Sequence, residues 1–558
     1  MTQAAAEALV GHPIPGDSGL LSRERIIAGP AFNRWMVPPA ALAIHLCIGM
    51  AYGFSVFWLP LSHALNGKNP VACPADSPLF GALFTTTCDW KISELGMVYA
   101  LFFVFLGAAS AIWGGWLERA GPRKAGMVSS LCWCGGLMIA ALGIRSHQLW
   151  LVLLGAGAIG GIGLGLGYIA PVSTLIKWFP ERRGLATGMA LAGFGGGAMI
   201  GAPLADILMR QYSTPTSVGV WETFVTLAVV YFVFMTAGAF TIRVPPALWR
   251  PNGWTPPPPA ANSMVTARHV HVKTAVKTPQ FWLIWSVLCL NVTAGIGIIG
   301  MASPMLQEVF GGRLLGYAAD FNELSVEELA VTAAIAAGFT GLISLVNIGG
   351  RVAWACASDF LGRKLTYCLY FALGILLYAS APWSGRAGHV ALFVAAFCLI
   401  LTLYGGGFAT MPAYLADMFG TQHVGAIMGR LLTAWSVAGI LGPLIVSYLR
   451  DHQLARHVPP AQVYDLICYV LCGLLALGLF CNLLVRPVAR KHYMAEAEVE
   501  AERKLVNEAA RMAMLTETQL MRLDRTPASR LAGAWIAVGV PILWGAWMTL
   551  QKAWLLFV

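Results

Sequence analysis

Gly114-Gly115-Trp116-Leu117-Glu118-Arg119-Ala120-Gly121-Pro122-Arg123-Lys124 and Ala357-Ser358-Asp359-Phe360-Leu361-Gly362-Arg363-Lys364 are two versions of one turn. Each closes an apolar run with an acid, then a glycine, then basic residues. Glycine permits the tight reversal. An acid one turn ahead of a basic pair is suited to latch neighbouring helix ends through charge-assisted hydrogen bonds. Ordinary loops rich in Lys and Arg would explain one copy; two matched copies point to a duplicated unit. The candidate latch set is Gly114, Glu118, Arg119, Arg123, Asp359, Arg363 and Lys364.

The flanking sequence repeats in the same way. Crossing about 30 Å of hydrocarbon takes about 20 mostly apolar residues. Such runs begin near Val37, Gly96, Ala125, Gln148, Gly184 and Trp221, and again near Gln280, Leu329, Leu365, Val390, Gly425 and Ala461. Each latch turn follows the second run of its set, as parallel internal repeats require. A last run covers Leu531 to Val558. Between the sets lie Pro245, Pro246, Pro251 and Pro256 to Pro259, which favour an extended spacer over a membrane helix. The expected organisation is a cytoplasmic tail (1–36), a six-helix bundle (37–243), a proline-rich cytoplasmic linker (244–278), and a second six-helix bundle (279–487). A charged cytoplasmic helix (488–529) and an additional C-terminal transmembrane helix (530–558) follow.

Composition agrees with an all-α membrane protein. The 558 residues are 58% hydrophobic and 11% charged, whereas a soluble domain carries about 25% charged residues. The formal charge of +10 sits in short loops and a tail, so it reads as membrane topology and not as a nucleic-acid face. With the N-terminus inside, inner segments hold 26 Lys and Arg and outer segments nine. That asymmetry predicts a cytoplasmic N-terminus and, after a thirteenth span, an outer C-terminus. No cleavable leader is read at the N-terminus, and the expected location is a bacterial inner (plasma) membrane. The 12 cysteines fall mostly in apolar runs and show no zinc spacing, so no metal or cofactor is expected. Cys73 and Cys88 share the first outer loop, where an oxidising compartment would allow a disulfide, with two free thiols as the equal alternative.

Gly155-Ala156-Gly157-Ala158-Ile159-Gly160 matches a dinucleotide fingerprint, but that motif needs a preceding strand. Inside an uncharged span it reads as close helix packing. Arg351 is more informative. It lies eight residues before Asp359, about 12 Å into the bilayer at 1.5 Å per residue. A charge at that depth costs at least ~2.5–3.5 kcal/mol and faces a cavity or a partner, unless the chain snorkels out. No Asp or Glu lies centrally in any of the twelve spans, and Asp206 and Asp417 sit near helix ends. The missing counter-ion is therefore expected to be the cargo, an anion held by the planar guanidinium fork. Asn347, one turn away, and Tyr52, Tyr168, Tyr404, Phe408 and Trp435 lie at comparable depth and are candidate walls of that site. His45 is the one ionisable group deep in span one, a candidate for proton coupling or a packing residue.

The paired turns resemble the signature of the major facilitator superfamily, with Glu118, Pro122 and Phe360 as departures. Trp178-Phe-Pro-Glu-Arg182-Arg183-Gly184-Leu-Ala-Thr-Gly188, the Asn347 to Arg351 segment, and Tyr414-Leu-Ala-Asp417-Met-Phe-Gly420 are similar to the oxalate/formate antiporter family. This resemblance, over residues 34 to 487, implies a twelve-helix facilitator fold that carries small carboxylate anions by antiport or proton symport. It also implies a substrate-binding arginine at Arg351. The founding oxalate exchangers are expected to use a span-eleven lysine as well; here Trp435 stands in that place. One cation matches one carboxylate, so formate, pyruvate or lactate is favoured over oxalate. An oxalate/formate exchanger and a non-transporting carboxylate sensor remain alternatives. A membrane enzyme is not favoured, since His63, His269 and His271 sit in loops and no catalytic pair is evident. The tail helix and final span have no counterpart in the resemblance and are expected to pack on the bundle. Oligomeric state is not legible.

Overall fold

The computed structural model describes residues 21, 26–29, 31–65, 71, 83–214, 217–246, 249–255, 264–266, 268–500 and 526–554. Cys73, Pro256 to Pro259, most of the charged tail segment and the last four residues lie outside this set. Among the described residues, thirteen helical segments are long and apolar enough to cross a membrane. The first six are α1 (Arg34–Leu61), α2 (Glu94–Ala120), α3 (Pro122–Arg145), α4 (Leu149–Trp178), α5 (Arg183–Tyr212) and α6 (Val220–Thr241). The second six are α7 (Pro279–Leu315), α8 (Glu327–Leu361), α9 (Arg363–Arg386), α10 (Val390–Phe419), α11 (Val424–Ala455) and α12 (Pro460–Leu484). The last is α13 (Ala528–Gln551).

The two sets pack alike. In the first half α1 lies on α5, α2 on α4 and α3 on α6; in the second, α7 lies on α11, α8 on α10 and α9 on α12. Adding six to each label converts one pattern into the other. The halves meet along two seams, α5 against α8 and α2 against α11, which the same operation exchanges. The duplication read from the turns is therefore a duplication of packing. Those turns share a backbone too: Gly121 and Gly362 both take φ near +80° (83° and 81°), a conformation an L side chain resists.

Small residues set the helix spacing. Gly155 lies in a widened, π-type stretch of α4, Leu153–Gly160. A Cβ there would stand 2.6 Å from the Ala140 backbone nitrogen of α3. The glycine motif is thus a close crossing of two membrane helices and not a phosphate loop. In α1, Val37–Ile48 is regular α-helix, but Gly49–Phe57 tightens to a 3₁₀ path where Gly49 lies against the Phe194 carbonyl of α5. α13 is the outlier. It packs on α1 and α5 of the first half and on α8 of the second, across the α5/α8 seam.

The ends of α2, α8 and α6 and the starts of α3, α9 and α1 define one face, called here the linker face. Cys88 lies before α2 at the opposite face and is disulfide-bonded. Its expected partner, Cys73, is outside the described residues.

Candidate functional site

Arg351 is fully buried in the middle of α8. Its Nε donates to Asn347 Oδ1 at 3.1 Å, one helical turn away. Its Nη1 donates to the Leu191 carbonyl of α5 at 3.1 Å, so the side chain reaches across the seam into the other half. Glycine makes that crossing possible, because a Cβ at Gly195 would stand 2.9 Å from the Arg351 Nε. Asn347 is itself fixed by Nδ2 donating to the Leu401 carbonyl of α10 at 3.2 Å. Arg351 Nη2 is buried and makes no hydrogen bond among the described residues, although the Tyr52 hydroxyl lies close to the guanidinium. The group is fully buried, so it does not snorkel, and among the described residues no Asp or Glu pairs with it.

The aromatic residues expected around it do converge. Phe408 and Phe194 lie 5.7 and 6.0 Å from the Arg351 Cζ. Trp435 packs on Phe408 (4.4 Å between centroids), Tyr168 (5.5 Å) and Tyr52 (6.3 Å). The Tyr52 and Tyr404 hydroxyls meet at 3.2 Å, joining α1 to α10. The Tyr168 hydroxyl and the Trp435 indole N–H are buried without a hydrogen-bond partner. Three donors of this cluster therefore lack a partner among the described residues: Arg351 Nη2, Tyr168 Oη and Trp435 Nε1. Buried donors are normally paired, and a donor left unpaired costs about 1–3 kcal/mol. A small group with acceptor oxygens would satisfy such a set.

Phe194 belongs to this cluster and was not singled out from sequence. Its ring touches those of Tyr52 (5.1 Å), Tyr168 (5.5 Å) and Trp435 (5.4 Å). The signal was present, since Phe194 is the one aromatic residue in the glycine-rich run from Gly184 to Gly201. His45 lies nearby with its centroid 5.7 Å from that of Tyr168. Its Nδ1 faces the Ala190 carbonyl at 2.6 Å and its Nε2 the Tyr168 carbonyl at 3.2 Å. A neutral imidazole donates only one of these bonds. The ring braces α1 against α5 and α4 and makes no hydrogen bond to Arg351.

At the linker face the two turns act on opposite halves. Glu118 of α2 accepts from the Gly425 and Ala426 N–H groups at 2.9 and 3.4 Å, at the start of α11. Asp359 of α8 accepts from the Gly184 and Leu185 N–H groups at 2.8 and 3.0 Å, at the start of α5. A carboxylate at a helix N-terminus gains both unpaired N–H donors and the positive end of the dipole. Gly114 permits the approach: a Cβ there would stand 3.2 Å from Ala426 Cα. The basic residues serve their own halves. Arg123 donates to the Phe240 carbonyl of α6 at 3.1 Å, and Lys364 to the Leu483 and Val485 carbonyls at the end of α12, both at 2.8 Å. Arg119 remains exposed. Asp417, read from sequence only as a helix-end acid, joins the network. It pairs with Arg363 of its own half at 2.9 Å and with Arg183 of the other at 2.8 Å, while Arg363 also holds Asp359 at 2.7 Å.

A family profile described as Major Facilitator Superfamily matches residues 41–344 and 316–557. The chain is 26% identical over 329 residues to the oxalate:formate antiporter of Oxalobacter formigenes, covering 59% of this chain and 69% of that one. It is 28% identical over 461 residues to apicoplast pyruvate carrier 1 of Toxoplasma gondii, covering 72% and 77%. Among solved structures, a proton:xylose symporter bound to 6-bromo-6-deoxy-D-glucose superposes with a TM-score of 0.54 at 16% identity, over 81% of this chain and 95% of that one. The sugar carrier supports the fold alone; the two carboxylate-named relatives agree with the motifs quoted from sequence. The chain is a multi-pass membrane protein that belongs to the major facilitator superfamily of transporters.

Proposed function

We propose that this protein is a secondary active transporter of small monocarboxylate anions, working by alternating access around Arg351. The observation that carries the reading is a fully buried guanidinium with no carboxylate partner among the described residues. An anion bound to its free Nη2, with Tyr168 and Trp435 donating to the remaining oxygens, would neutralise the charge. That lowers the barrier to enclosing the site. Tyr52, Tyr404, Phe408 and Asn347 shape and orient the pocket. The names of two relatives, an oxalate:formate antiporter and a pyruvate carrier, support a carboxylate class. Trp435 in a wholly aromatic setting supports a monoanion, because a second carboxylate would find no second cation there.

Glu118, Asp359, Arg363 and Asp417 are proposed to hold the linker face shut while the opposite side admits substrate. The excess of Lys and Arg on the linker face supports placing it in the cytoplasm, and a disulfide-bonded Cys88 on the other face supports an oxidising exterior. A bacterial inner membrane fits both. Exchange needs no titratable group; proton symport would route through His45. Counterflow in proteoliposomes with labelled formate, pyruvate, lactate and oxalate tests the reading, comparing wild type with Arg351→Lys and Arg351→Gln. Lys keeps the charge and loses the fork, so it should retain little flux, and Gln less. Oxalate outpacing every monocarboxylate would reject the single-charge argument. Saturable binding without counterflow would identify a sensor.

A further inference from the structure

The ties between the two halves differ on the two sides of Arg351. On the linker-face side they carry charge: Arg183 pairs with Asp417, and Asp359 and Glu118 accept from N–H groups of the opposite half. On the outer side, among the described residues, two uncharged hydrogen bonds join the halves. Ser436 of α11 donates to the Phe103 carbonyl of α2 at 2.5 Å. The Tyr52 and Tyr404 hydroxyls meet at 3.2 Å between α1 and α10. Measured from the linker-face ends of their helices, Arg351 is ten residues in, Tyr404 fifteen and Tyr52 eighteen. At 1.5 Å per residue the tyrosine backbones lie about 7–12 Å nearer the outer face. The pair therefore roofs the guanidinium.

The same pair is connected to the site below it. The Tyr52 hydroxyl lies close to the Arg351 guanidinium. A guanidinium only donates, so the Tyr52 oxygen faces it with a lone pair and its hydrogen is left for Tyr404. A carboxylate on Arg351 reverses that order. Tyr52 then donates to the anion, and Tyr404 donates to the Tyr52 oxygen. A hydrogen bond to a charged acceptor is about twice as strong as a neutral one, and each bond in such a chain polarises the next. An anion in place thus ties α1 to α10 more firmly than an empty site does. The Ser436 bond ends on a backbone carbonyl and has no such dependence. We propose that Tyr52 and Tyr404 form the outer gate, a single hydrogen bond that parts to admit the anion and that the bound anion closes. The closing step rests on the carboxylate reading of Arg351; the gate itself does not.

Distances between spin labels on the full chain test both parts. Labels go on Gln211→Cys at the end of α5 and Asn322→Cys ahead of α8, both exposed at the outer end of the α5/α8 seam, with the free cysteines replaced. Tyr52→Phe and Tyr404→Phe keep the rings and delete the bond. One hydrogen bond between neutral groups shifts a two-state ratio about fivefold. Without ligand, each variant should therefore raise the ratio of long, outer-open distances to short ones about fivefold. Identical distributions in wild type and both variants overturn the gate. Saturating pyruvate should move wild type toward the short distance and leave Tyr404→Phe nearly unmoved. Closure as large in Tyr404→Phe as in wild type overturns the relay from anion to gate. Equilibrium dialysis of radiolabelled pyruvate on the same samples separates the failures. Without binding, the carboxylate reading falls and the relay with it, while the ligand-free distances still decide the gate.

Discussion

At the scale of single residues, the distinctive feature is that donors outnumber acceptors around Arg351. Tyr168 Oη and Trp435 Nε1 have no hydrogen-bond partner among the described residues, so removing the Tyr168 hydroxyl should not loosen the fold. Tyr168→Phe is expected to keep or slightly raise the thermal midpoint, whereas Trp435→Phe also opens space among the rings it packs on and should lower it. If each group donates to a substrate carboxylate, a bond of about 1.5–3 kcal/mol is lost and KM rises about tenfold or more. A merely structural role would leave KM alone. Asn347 offers a sharper test, because its Oδ1 already accepts from Arg351 Nε at 3.1 Å. Asn347→Asp would supply a counter-ion in place, and an opposite charge within hydrogen-bond reach stabilises a buried cation. The expected variant is folded, at least as heat-stable as wild type, and unable to carry anions. Retained counterflow in it would show that Arg351 does not need an anionic guest.

At the scale of helices, Glu118 and Asp359 each cap a helix belonging to the opposite half, so weakening either cap weakens closure and leaves each bundle intact. Asp359→Asn loses the charged part of three contacts, two to α5 and one to Arg363. It should shift the population toward a linker-face-open form. Cys356, half-buried one turn before Asp359, reports this: with the other free cysteines replaced, its reaction with a maleimide should speed up several-fold in Asp359→Asn. An unchanged rate would assign the caps to helix stability alone. These caps were legible in the sequence because each acid, glycine and base lie within one short turn and recur at matched positions. The glycine run at Gly155 was legible as packing for the same local reason, an uncharged span. Asp417 with Arg183, and Phe194 with Trp435, were not legible as partners. They lie on helices far apart in the chain, and only the folded approach of α5 to α10 and α11 brings them together. The 3₁₀ path of Gly49–Phe57, which lies against α5 at Gly49, also escaped reading.

At the scale of the whole molecule, twelve helices obey the duplication and α13 does not. It lies across the α5/α8 seam, touching α1 and α5 on one side and α8 on the other. It touches both halves: Val538 packs with Leu42 and Ala43, Gly545 lies against Met199 and Ile200, and Thr549 against Gly341. Ile536, Val540, Leu543 and Trp547 face outward. The main core runs through both halves without it, so removal of residues 528–558 should leave a folded twelve-helix bundle with the Arg351 cluster in place. Rocking of the halves changes the separation of α5 and α8, and a helix fastened to both resists that change. The truncated chain should therefore bind carboxylate with an unaltered Kd and turn over about two- to fivefold faster, since ~0.4–1 kcal/mol off a barrier gives that gain. Equilibrium binding and single-turnover flux in the same liposomes separate the two quantities. A weakened Kd would make α13 part of the binding architecture, and slower turnover would make it a guide for the motion and not a brake on it.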